Sequence, residues 1–186
     1  IDIKADGYME YENILIDPKI TEDKWVEALN IEPTDRSVVP HVLVFLLPPN
    51  YESLTPTQKQ GIQLPAVTGF FAGYVPGLDH ADYGAGFAKK LPAGSKFLFQ
   101  IHYTPNGKAT RDQVKLGLRY AKAEVKHEVV TKGALKFQFA IPPGAPNHMV
   151  TANLSLPAGA KVISMIPHMP LRGNAAKYEL VTADGS

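Results

Sequence analysis

The chain carries six histidines, at 41, 80, 102, 127, 148 and 168, and no cysteine. Disulfides, thiolate metal sites and cysteine nucleophiles are therefore excluded. Any bound metal must be held by imidazole, carboxylate or methionine. His127 stands among Glu124, Lys126 and Glu128, and His148 follows a Pro-Gly-Ala-Pro-Asn loop, so both read as surface residues. His80 lies in Gly77-Leu-Asp-His-Ala-Asp82, where Asp79 and Asp82 can join it around an ion. A single imidazole is most often a surface or hydrogen-bonded core group. His41, His102 and His168 are set apart because each lies at the end of a predicted strand, beside apolar residues. Other chemistry is thinly represented. There is no Gly-rich phosphate loop, no G-x-S-x-G, and no carboxylate pair on an apolar background.

The elements that must position these histidines are strands. Phe97, Phe99, Ile101 and Tyr103 alternate with Lys96, Leu98, Gln100 and His102. Val114, Leu116, Leu118 and Tyr120 share one phase, as do Leu135, Phe137, Phe139 and Ile141. Period-two alternation of this kind marks half-buried antiparallel strands. Val38–Leu47 is apolar on both phases and predicts a central strand buried on both faces. The only helix-like stretch is near Thr55–Gln63. Prolines at 33, 48, 49, 92, 105, 142, 143 and 157 punctuate the strands. Leu91-Pro-Ala-Gly-Ser-Lys96 recurs as Leu156-Pro-Ala-Gly-Ala-Lys161, each a turn feeding a strand that ends at His102 or His168. A looser copy runs from Ile31-Glu-Pro33 to His41. The expected fold is all-β: tandem antiparallel jelly-roll or β-sandwich units, over 1–125 and 126–186, the second incomplete.

With 186 residues, the chain is long enough to bury a real core. Its 15 glycines and 16 prolines argue for many turns between short elements. The longest apolar run, Val42–Leu47, is far too short to span a bilayer, so no membrane span is expected. Charge is segregated. Residues 1–60 hold 11 acids and 5 bases, whereas Lys89–Lys136 holds 11 bases and 3 acids. A solvated sheet face accounts for the basic stretch; the alternative is a docking face for an acidic partner. No nucleic-acid partner is expected, because no binding motif accompanies the charge.

Several segments together resemble the type II copper, ascorbate-dependent monooxygenases, the peptidylglycine hydroxylating monooxygenase family, and in particular its bacterial modules. They are Trp25-Val-Glu-Ala28, Val38-Val-Pro-His-Val-Leu-Val-Phe45, Phe71-Ala-Gly-Tyr-Val-Pro-Gly77, Phe99-Gln-Ile-His-Tyr-Thr-Pro-Asn-Gly107, Ile141-Pro-Pro-Gly144 and Pro167-His-Met-Pro-Leu-Arg-Gly173. Their order and spacing cover nearly the whole chain. The resemblance implies two jelly rolls with a single-copper site in each, and an exported, periplasmic location. It also implies metal ligands at His41 and His102 for the first copper and at His168 for the second. Each ligand motif departs from the family. The His-His pair of the first site reads Pro40-His41, and the His-x-His pair of the second reads His168-Met-Pro170. Proline supplies no donor atom. The downstream methionine of the second site is also absent.

Three readings follow. The first is a copper monooxygenase-like module with depleted ligands that serves structure or assembly in a larger protein or complex. The second is an active monooxygenase acting on a small or peptide substrate, with electrons from ascorbate or a cytochrome. The third, independent of the resemblance, is a β-sandwich module binding glycan or protein through Phe70, Phe71, Tyr74 and Tyr83. The chain begins at Ile1 and stops after the turn signal Ala183-Asp-Gly185. The expectation is that another chain or further polypeptide covers an open edge near Lys177–Val181.

Overall fold

A computed structural model of the protein describes residues 1–56, 69–136, 138–167, 169 and 173–182. It divides into two units, Ile1–Asn153 and Leu154–Ser186.

The first unit is a β-sandwich. Strands β1 (Asp2–Ile3), β2 (Glu12–Ile16), β3 (Lys24–Pro33) and β4 (His41–Leu47) are followed by a short 3-10 turn at Tyr51–Ser53. Then come β5 (Phe70–Tyr74), β6 (His80–Asp82), β7 (Phe87–Leu91), β8 (Lys96–His102), β9 (Thr110–Arg111), β10 (Val114–Tyr120) and β11 (His127–Glu128). One sheet has the order β2-β8-β4-β5. The other has the order β10-β3-β7-β11, with β6 also on β3. A small β1–β9 pair stands beside them. Every pairing is antiparallel except the two-residue β11–β7 contact.

Alternation explains the two-layer arrangement. On β8, Phe97, Phe99 and Ile101 are buried while Lys96, Leu98, Gln100 and His102 are half-buried. On β4, Val42 and Val44 are buried between the half-exposed His41 and Leu43. These inward residues meet Val26, Leu29, Ile31 and Leu91 of the other sheet in one core. Burying each such side chain stabilises the fold by about 2 kcal/mol relative to leaving it in water. As expected, β4 is central, between β8 and β5. It is not uniformly buried, however, because its second face carries His41 and Leu43. A bulge between Val44 and Phe45 then shifts the phase.

The segregated charges neutralise one another across strands. Lys90 pairs with Asp23, Lys96 with Glu52, and Arg111 with Asp2. Arg119 pairs with both Glu27 and Asp82. The acidic N-terminal strands thus lie beside the basic ones that follow.

Two expectations are not met. Among the described residues of Leu135–Ile141 there is no strand, and Phe139 and Ile141 are exposed. The described residues of Leu154–Thr182 likewise contain no strand, and Tyr178, Leu180 and Val181 stand in solvent. Alternation makes a segment able to enter a sheet, but only a neighbouring ladder satisfies its amides. The helix-like stretch Thr55–Gln63 lies mostly outside the described residues, as do Phe137, His168 and Pro170.

Candidate metal centre

β4 starts at His41 and β8 ends at His102, and the antiparallel register sets the two residues directly opposite. Each strand turns its valines, phenylalanines or isoleucine into the core, so both imidazoles emerge on the other face. Their ring centroids are 5.0 Å apart, edge to face. The β2–β8 register runs Glu12↔Ile101 and Asn13↔Gln100, which brings Tyr11 beside His102. The Tyr11 ring stacks on His102 at 4.8 Å and 29°, and lies 5.7 Å from His41. Tyr11, His102 and His41 therefore form one aromatic row across three strands. On the same face, Gln100 Nε2 donates to Asn13 Oδ1 at 3.2 Å.

The loops entering β4 and leaving β8 are lashed together, which holds the row in place. Thr104 N–H donates to the Val38 carbonyl, and Asn106 Nδ2 donates to Ser37 Oγ. Asp35 accepts from the Ser37 hydroxyl at 2.6 Å and from Thr110 Oγ1 at 2.8 Å. The Ser37 hydrogen bond, then that from Thr110, holds the Asp35 carboxyl below the usual carboxylate range. Deeper in, Asp112 is 1% exposed. It accepts from Thr34 Oγ1, the Asp35 amide and the Tyr103 hydroxyl. These three donors take the place of the water that burial removes from the carboxyl group.

The row places two imidazole rings side by side on one sheet face. Two rings coordinating through nitrogen at about 2 Å have centroids about 5 Å apart when the angle at the ion is near tetrahedral. The His41–His102 spacing fits that geometry. A third ligand is not at hand: among the described residues no group of three or more His, Cys, Asp or Glu gathers where an ion would sit.

The other histidines are dispersed. His80 is exposed, and its Nδ1 lies 3.0 Å from Asp79. Asp79 is shared between His80 and Arg36, and Arg119 takes Asp82, so the two carboxylates do not converge with His80 on one ion position. His127 stacks on Phe87 at 4.6 Å, and His148 is exposed. His168 lies outside the described residues. The aromatic platform is overturned at two of its four positions. Phe71 and Tyr74 are core residues at 3% and 1% exposure, packed under the β4–β5 pair. Sequence reasoning missed Tyr11, because nothing in the chain near it announces the β2–β8 register.

Set against protein-family models, curated proteins and solved structures, the chain matches none.

Proposed function

We propose that the protein is a copper monooxygenase-like module that keeps a two-imidazole metal position, His41 with His102, and serves structure or assembly rather than oxygenation on its own. The observation that carries this reading is the facing pair at 5.0 Å, on adjacent strands and on the same sheet face. Two imidazoles bind copper weakly, with water completing the coordination. His41 on β4 and His102 on β8 would hold the ion, and Tyr11 stacks against one side of the pair. Pro40 stands where the resembling family has a further histidine, and His168 has Pro170 two residues on. Copper when bound would supply one-electron redox chemistry, but this donor count argues against oxygen activation by the chain alone. An exported location belongs to the same reading.

The assembly role rests on apolar side chains left in water. Val162, Ile163, Met165 and Ile166 are each more than half exposed, as are Leu180 and Val181. Such residues call for a polypeptide partner, either another chain or further sequence. An ascorbate-driven oxygen-uptake assay tests the reading. Turnover is expected not to exceed that of free copper. Copper-dependent turnover by a monodisperse monomer, abolished by His41→Ala, would replace it with the active monooxygenase.

A further inference from the structure

Between edge strands β2 and β10 the two sheets do not close on each other. They leave a cavity of about 940 Å³. Ile14, Phe99 and Ile101 line it from one sheet, and Val114, Leu116 and Leu118 from the other. Phe99 and Ile101 are buried, whereas the other four are only half-buried. A sandwich core is ordinarily filled by interdigitating side chains to crystal-like density. A gap of this size falls in the range of small-molecule sites. It opens to solvent, and its walls are mainly hydrocarbon, with Asp2, Thr34, Arg111, Asp112 and Gln113 among the lining residues.

The wall chemistry selects the occupant. Among the described residues the only buried side-chain polar atom without a partner is Ser95 Oγ, and Ser95 does not line the cavity. Asp112 reaches the lining, but its carboxylate is taken up by Thr34, Asp35 and Tyr103. The aliphatic and aromatic side chains that make up most of the wall offer no hydrogen bond. A polypeptide segment entering it would bury unpaired amides, at about 1–3 kcal/mol each. A hydrocarbon chain carries no such groups. At the mouth, Arg111 donates to Asp2 at 2.8 Å, with both side chains nearly four-fifths exposed. A solvent-exposed pair of this kind is worth little, so its guanidinium can turn to another carboxylate.

We propose that the intersheet cavity binds a single acyl chain, with a terminal carboxylate held at the mouth by Arg111. The test is titration of the full chain with oleate, followed through ¹³C-labelled isoleucine and leucine methyl resonances. Binding with equal stoichiometry is expected, with shifts concentrated at Ile14, Leu116 and Leu118. Ile16→Trp, at a rim position 43% exposed, adds bulk across the opening without disturbing the buried layer. It should weaken oleate binding about tenfold. Arg111→Ala should weaken oleate binding severalfold and leave methyl oleate unaffected. No binding of oleate, methyl shifts confined to other parts of the chain, or unchanged affinity in Ile16→Trp would each overturn the proposal. Equal loss of oleate and methyl oleate in Arg111→Ala would remove the head-group assignment.

Discussion

Tyr103 donates its phenolic hydrogen to Asp112 Oδ2 at 2.9 Å, and both residues are 1% exposed. Burial first, and the Asp112 hydrogen bond second, keep that hydroxyl protonated well above the ordinary tyrosine range. The bond ties the loop after β9 to the residue following His102, and so to the end of β8 that carries the imidazole.

Asp112→Ala should therefore be the most damaging single change at this end of the sandwich. It strands the Tyr103 hydroxyl in the core and removes an acceptor from the half-buried Asp35 amide and the exposed Thr34 hydroxyl. The expected cost is about 3 kcal/mol. Asp112→Asn, which retains an acceptor oxygen, should cost less. Urea denaturation of both variants measures the difference; equal stabilities would remove the network from the account.

Tyr11→Ala should cost about 1 kcal/mol, the worth of a stacked aromatic pair across neighbouring strands. Tyr11→Phe should recover nearly all of it, since the ring and not the hydroxyl makes the contact with His102. The same denaturation series reads this out, and a Tyr11→Phe variant as weak as Tyr11→Ala would contradict it.

Copper binding should depend on the facing pair. His41→Ala and His102→Ala should each lower Cu(II) affinity at least about tenfold. His80→Ala should leave it unchanged, because Arg36 and Arg119 hold the acids around His80. Electron paramagnetic resonance with calorimetric titration separates the cases. An unaltered nitrogen-ligand signal when His41→Ala and His102→Ala are combined would place copper elsewhere.

Stability should rise between about pH 8 and pH 10, and Lys89 is the reason. Its side chain is buried, with Nζ donating to the Phe71 carbonyl at 2.6 Å and to Thr131 Oγ1 at 2.9 Å. Three ring centroids, of Phe70, Phe71 and Tyr83, lie within 5.9 Å of it. Burial pulls the amine down from 10.5 to about 8. The unfolded chain then binds more protons than the folded one between those values, so raising the pH favours folding, by up to about 3 kcal/mol. Tyr83 acts in the opposite sense higher up. Burial pushes it to about 12, so stability falls as the unfolded chain ionises above pH 10. Lys89→Met should flatten the rise below pH 10, as thermal melts across that range would show; an unchanged profile would exclude Lys89 as its source.

Period-two alternation is a property of neighbouring residues, imposed by the pleat, so the sequence alone determined that β8 and β10 are strands and which of their faces is apolar. It also separated His41 and His102 from the surface histidines, since both share a strand with inward-facing apolar neighbours. Pairing is different, because it depends on segments remote in the chain. Only the tertiary structure set His41 opposite His102, drew Tyr11 into the row and buried Phe71 and Tyr74. It also turned Arg36 and Arg119 onto the acids flanking His80. The same dependence explains Leu135–Ile141, whose described residues alternate as well as β8 does and yet join no ladder. A strand forms where another backbone meets its amides, and alternation alone does not say where that backbone lies.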